Sequence, residues 1–218
     1  MSSAPAADGT AQPGASIVVV RGPAGAGKST VSAAVLALLR GASPPRRVAY
    51  LEQDYFRNTA CGGGKGAREA ARDMLLAAAR AAVAAGYLVL LEGILSAPHH
   101  AEALAALGRE AGGLACVYLD VPLEETKARH AGRAKSAEFG GEKLEEWWSS
   151  SAPLGCAGEL RIGRDSALSE TAAAVVALFG SGGGGGGGGG SGGAVGGAAA
   201  GGGGGGGGDE GAKRARPE

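Results

Sequence analysis

The chain has 218 residues, with 21 Lys plus Arg against 21 Asp plus Glu, so its net charge is zero. Balanced charge gives no support for sequence-independent nucleic-acid binding. No run of about 18 apolar residues occurs, which leaves no candidate membrane-spanning helix.

Residues 1–15, rich in Ala, Pro and Ser, read as a disordered arm. Residues 180–218 read as a disordered tail that holds much of the total of 44 glycines and ends in DEGAKRARPE. No Arg or aromatic side chain interleaves the tail's glycine runs. The groups with which Gly-rich RNA-binding segments stack on bases are therefore missing. Residues 16–179 form one expected domain, within the usual range of roughly 50–250 residues. Cys61, Cys116 and Cys156 are scattered, with no C-x-x-C pair. That argues against a disulfide framework or a zinc cluster and for a reducing, cytoplasmic setting. The arm has no basic residue before Arg21, which argues against a signal or transit peptide.

Ser16–Val20 is a β-branched apolar run, the pattern of a buried strand. A loop of small residues follows, and then a helix over Lys28–Arg40 with Val31, Val35, Leu38 and Leu39 at helical spacing. Val48–Glu52 reads as the second strand and leads into Gln53-Asp54 and a loop. Arg68–Ala85 reads as a helix, and Tyr87–Leu91 as a third strand with almost no polar residue. His99–Gly108 is the next helix, with Ser96 and Pro98 as start signals. Leu114–Val121 reads as the fourth strand, and a helix opens over Pro122–His130. Residues 131–158 are irregular apart from a short helix near Glu142–Trp148. Gly158–Ile162 is a candidate fifth strand, and Ser169–Phe179 a last helix. Strands alternating with helices predict an α/β fold, a mostly parallel five-stranded sheet covered by helices on both faces.

Gly22-Pro23-Ala24-Gly25-Ala26-Gly27-Lys28-Ser29 fits G-x-x-x-x-G-K-[ST] at every fixed position and lies between a strand and a helix. Glycines let such a loop turn its amides inward, and the helix that follows adds the positive end of its dipole. The motif predicts a phosphate-binding loop. Lys28 would reach the β- and γ-phosphates, Ser29 would ligate Mg²⁺, and Thr30 would lie near the α-phosphate.

Two carboxylates stand at the ends of strands, where ligands bind in open α/β sheets. Asp54, in VAYLEQDYFRN, is placed to take a proton from an acceptor hydroxyl, and Arg57 to hold the acceptor. Glu92 ends the apolar run YLVLLEG, the position from which a carboxylate orients Mg²⁺. His99 and His100 are adjacent, so on a helix they point apart, and a solvated helix start explains them. Trp147 and Trp148 are expected to pack a lid against the core. Nothing marks Cys61 as a nucleophile.

The order GPAGAGKST, EQDYFRN, LEGIL, YLDVPLEET, ARH resembles the small P-loop kinases. These include chloramphenicol phosphotransferase-like and zeta-toxin-like proteins, and kinases of unassigned substrate labelled AAA-type ATPases. The resemblance covers about residues 16–179. It implies a P-loop NTPase three-layer sandwich with strand order 2-3-1-4-5. It also implies ATP as the nucleotide, since no N-K-x-D guanine signature is present. A lid over about 122–150 would close the site with Arg129 and Arg133. The implied activity is transfer of the ATP γ-phosphoryl to a hydroxyl of a small molecule. The alternatives are an NTP hydrolase or nucleotide-dependent switch, in which water replaces the acceptor, and a non-catalytic protein that keeps nucleotide binding for stability.

Overall fold

A computed structural model describes residues 14–64, 66–131, 142, 144, 145, 148, 154 and 158–180. Arg133, Trp147, most of the expected lid, the N-terminal arm and the Gly-rich tail lie outside the described residues.

The strands are β1 (Ile17–Arg21), β2 (Val48–Glu52), β3 (Leu88–Gly93), β4 (Leu114–Asp120) and β5 (Leu160–Gly163). The helices are α1 (Lys28–Gly41), α2 (Ala67–Ala84), α3 (Ala97–Glu110), α4 (Leu123–Ala131) and α5 (Leu168–Leu178). The sheet order is β2-β3-β1-β4-β5, and every pairing is parallel. Both the expected strand order and the α/β sandwich are therefore present.

Alternation along the strands sorts the core into two layers. Val18 and Val20 of β1 join Leu90, Val117 and Leu119 under α1 and α5, meeting Val31, Val35 and Val175. Ile17 and Val19 join Val89, Leu91 and Cys116 under α2 and α3, meeting Leu75, Ala79, Leu104 and Leu107. A strand buried on both faces needs apolar residues at every position. All five residues of IVVVR in β1 are buried.

Within the fold itself the structure departs from the sequence reading after β2, at the start of α3 and at Cys116. The stretch after β2 is helical rather than a loop: Gln53 and Asp54 begin it and Tyr55–Ala60 form a π-helical turn. β2 lies at the sheet edge. The chain leaving it meets its own hydrogen-bond demand locally, with Cys61 N donating to Phe56 O at 3.0 Å and Gly63 N to Arg57 O at 2.8 Å. Helix α3 begins at Ala97, two residues early, because Pro98 fits the first helical turn. Cys116 is disulfide-bonded, its partner lying outside the described residues, while Cys61 is free. One such bond is not a disulfide framework, but with it the cysteines no longer argue for a reducing compartment.

Arg21 closes β1 as a buried cation, 3 % exposed. Its Nε and Nη2 donate to the two oxygens of Glu159 at 2.6 and 3.2 Å, and its guanidinium lies 4.7 Å from the Tyr118 ring centre. This fork fastens β1 to the residue that precedes β5. Glu159→Ala deprives a buried charge of its bidentate partner and is expected to cost about 3 kcal/mol in urea unfolding. A loss no larger than the ~1 kcal/mol of an exposed pair would contradict that role.

Candidate active site

The phosphate loop is shaped by close backbone approach. Gly22 has φ +152°, and a Cβ there would lie 2.8 Å from the Leu119 carbonyl oxygen. Gly25 has φ +82° and packs against the first turn of α4, where a Cβ would meet Thr126 at 3.2 Å. Gly27, at φ 97°, is the N-cap of α1. Lys28 and Ser29 therefore occupy the first turn of α1. The Lys28 side chain folds back across the loop, its Nζ donating to the Pro23 carbonyl at 3.0 Å. Thr30 is exposed in the same turn.

Glu92 is buried at the end of β3, with 3 % exposure. In register it stands beside Val20 of β1 and Glu52 of β2. Ser29 Oγ donates to Glu92 Oε1 at 2.6 Å. The Tyr50 hydroxyl donates to Glu92 Oε2. Burial raises the Tyr50 phenol well above its ordinary value, and the bond to Glu92 and the nearby charges of Glu52 and Asp54 add to the rise. Tyr50 is thereby held as an O–H donor. The structure thus brings Ser29 and Glu92 together, with Asp54 within electrostatic reach of the tyrosine that binds Glu92. Only oxygen ligands converge here, the donor set that Mg²⁺ takes.

Asp54 is exposed at the start of the π turn, and its side chain caps nothing. Arg57 lies on that turn with its Nε buried and without a hydrogen-bond partner. On the other side of the loop, Arg129 of α4 donates to Glu125 at 2.8 Å and to the Ala26 carbonyl at 3.4 Å. Arg133 lies outside the described residues. A cavity of about 290 Å³ opens beside Arg129, bordered by Gly27, Thr30, Val121, Ile162 and Arg164.

Sequence reasoning missed Tyr50, Gln53 and His100. Tyr50 lies two residues before Glu52, so strand alternation places both on the Glu92 face, a signal available in the sequence. His100 is not a solvated residue at a helix start. It is 5 % exposed, because the early start of α3 turns it inward. Its Nδ1 lies 3.1 Å from the Ser96 carbonyl and its Nε2 3.2 Å from Gln53 Nε2. Gln53 Oε1 accepts from Leu95 N at 3.3 Å. These partners fix the amide orientation and a neutral imidazole that donates from Nδ1 and accepts at Nε2. Gly93 makes room for Gln53, since a Cβ there would fall 2.4 Å from Gln53 Oε1. Leu95 holds φ 43° while fully buried, so the turn between β3 and α3 carries strain at this point.

A family model described as an AAA domain matches residues 17–154. The chain belongs to that AAA domain family. Among solved structures it is similar to the Mycobacterium tuberculosis APS kinase CysC in complex with AMPPNP and APS. That likeness has 25% identity and a TM-score of 0.59, and covers 77% of this chain and 98% of that one. A putative kinase from Chloroflexus aurantiacus matches with 18% identity over 75% of this chain and 93% of its own, at TM-score 0.59. Chaetomium thermophilum Kti12 in complex with ADP-AlF3 matches with 17% identity over 75% of this chain and 100% of its own, at TM-score 0.56. A search of the curated proteins gave no match. The AAA domain chain thus has the P-loop kinase fold that its motif order resembles. Among the described residues no helix is long and apolar enough to cross a membrane.

Burial holds the His100 imidazole below its ordinary value against the Ser96 carbonyl, with His99, Arg72 and Arg68 lowering it further. The unfolded imidazole takes up its proton near pH ~6.5, and the folded one only at lower pH. Between those values the unfolded state binds more protons, so stability rises with pH. The contribution of His100 is full above about pH 6.5 and is lost as pH falls through the folded value. Urea midpoints measured from pH ~7.5 down to ~5.5 are expected to fall, and His100→Gln to flatten the slope. Identical slopes in the two proteins would contradict the buried neutral state.

Proposed function

We propose that the protein is an ATP-dependent kinase that phosphorylates a hydroxyl group of a small molecule. The observation that carries this reading is the Ser29–Glu92 hydrogen bond, which joins the phosphate loop to the carboxylate at the end of β3. The P-loop kinase fold and the nucleotides bound in similar structures support nucleotide binding.

In this reading the loop Gly22–Thr30 holds the phosphates, through backbone N–H groups at every position but Pro23 and through the Lys28 ammonium, and the Lys28–Pro23 bond gives way to them. The cavity beside Thr30, Arg129 and Ile162 takes the nucleoside. Ser29 and Glu92 would hold Mg²⁺, which would supply positive charge against the phosphate oxygens. Tyr50 keeps the Glu92 carboxylate aimed at this point. The acceptor oxygen forms a bond to the γ-phosphorus, the bond from that phosphorus to the ADP oxygen breaks, and the acceptor proton passes to Asp54. Arg57, on the same turn as Asp54, orients the acceptor. Arg129 stands at the Ala26 carbonyl, from where it meets charge on the transferred group, the role that the sequence resemblance also gives Arg133.

The test is MgATP turnover by the full chain across a panel of hydroxyl compounds. One acceptor is expected to raise turnover above basal hydrolysis. Asp54→Asn should reduce that stimulated rate ~100-fold or more, as loss of a general base does, and Lys28→Ala should abolish it. Basal hydrolysis that no compound stimulates, that needs Lys28 and that ignores Asp54 would replace this reading with a hydrolase or switch.

A further inference from the structure

A second cavity, of about 320 Å³, opens between the first two turns of α2 and the start of α3, bordered by Gly66, Arg68, Glu69, Arg72, His99 and His100. It lies on the Asp54 side of the molecule. Its His100 wall contacts Gln53, the residue before Asp54, at 3.2 Å. The π turn that carries Arg57 packs against α2, the same helix that supplies Arg68 and Arg72.

The charges of this cavity are unbalanced toward the positive. Arg68 Nη1 lies 3.3 Å from His99 Nε2, and among the described residues it has no carboxylate partner. The His99 ring nitrogen accepts one of the N–H donors of this exposed guanidinium, and no described carboxylate takes another. Among the described residues Arg72 is paired with its neighbour Asp73, at 3.0 Å, and the Asp73 side chain is 67% exposed. A pair so well solvated contributes little, and its arginine is readily shared with a ligand. Among the described residues that border the cavity, the acid is Glu69. The arrangement has a surplus of fork-shaped donors and a shortage of acceptors, the condition that a bound oxyanion corrects with charge-assisted, bidentate hydrogen bonds.

We propose that this cavity binds an oxyanion carried by the acceptor, so that the substrate is an anionic hydroxyl compound bearing a phosphate, sulfate or carboxylate group. The inference rests on the kinase reading for the word acceptor, while the anion site itself stands on Arg68, Arg72 and His99. The anion docks between α2 and α3, and the hydroxyl of the same molecule reaches Asp54 past Gln53. Neutral His100 forms the inner wall, and its bond to Gln53 holds that wall against the segment bearing Asp54. A neutral acceptor would leave Arg68 facing His99 and gain nothing from the cavity. The site therefore selects by charge.

Two measurements on the full chain test this. In the first, ADP at saturating concentration occupies the phosphate loop, and sodium sulfate is titrated against sodium chloride of equal ionic strength while the His99 ring resonances are followed. A saturable shift with sulfate, absent with chloride and lost in Arg68→Gln/Arg72→Gln, is the expected result. Thermal stabilisation of that variant by ADP shows that it is folded. No shift beyond that of chloride overturns the proposal.

In the second, MgATP turnover is measured with hydroxyl compounds in pairs that differ only by a phosphate, sulfate or carboxylate group. Only the anionic member is expected to stimulate. Arg68→Gln should raise its KM at least tenfold with kcat within threefold, and free sulfate should compete with it. Equal stimulation by the neutral member, abolished by Asp54→Asn, would overturn the anion site and leave the kinase reading intact. A sulfate shift that needs Arg68, in a protein that no compound stimulates, would uphold the anion site and overturn the kinase reading.

Discussion

The Glu92 carboxylate is buried at the mouth of the sheet, and hydroxyls from two other elements, Ser29 on α1 and Tyr50 on β2, donate to it. A buried carboxylate without such partners would cost several kcal/mol, since nothing in an apolar core replaces its water. The two bonds therefore constrain the elements around it. α1 must start where Ser29 meets β3, and β2 must pair with β3 in the register that sets Tyr50 beside Leu90 and Glu52 beside Glu92. The phosphate loop is the segment that this constraint leaves to span β1 and α1.

The topology puts the open ends of these elements in one place. β1 pairs with β3 on one side and β4 on the other. Connections that leave a parallel sheet on opposite sides of a strand open a crevice at its carboxyl end. The loop fills that crevice, and two cavities open on the domain. One is bordered by Thr30, Arg129 and the end of β5, the other by α2 and α3. Arg21 and Glu159 fasten the first side of the sheet, linking β1 to the approach to β5.

A chain of hydrogen bonds performs the same task on the second side. It runs from the Leu95 amide to Gln53, from Gln53 to His100, and from His100 to the Ser96 carbonyl. Gly93 lacks the side chain that would displace Gln53. The strained Leu95 is held by its own burial and by this bond. Asp54 follows Gln53 directly, so its position at the head of the π turn depends on the same contacts. The network also makes His100 neutral, which leaves Arg68, Arg72 and His99, with Glu69 on the rim, as the polar face toward the second cavity.

The sequence by itself determined the strands, most helix bounds and the phosphate loop, because these depend on short-range physics. Apolar runs such as IVVV become strands when both faces are covered, and G-x-x-x-x-G-K-S encodes a turn within eight residues. The meeting of Ser29 with Glu92 was legible as well, through a motif whose two halves lie 63 residues apart. Only the tertiary structure decided the rest. Asp54 and Arg57 were read as loop residues, yet an edge strand with no outer neighbour let the chain close into a π turn. His100 was read as solvated, yet Pro98 in the first turn of α3 rotated it into contact with Gln53. The cavity between α2 and α3 draws on residues 66–72 and 99–100, whose charges become neighbours only when both helices cover the same face of the sheet. Periodicity along a chain sets which face of a helix is apolar, but which polar residues converge is set by how those faces are packed together.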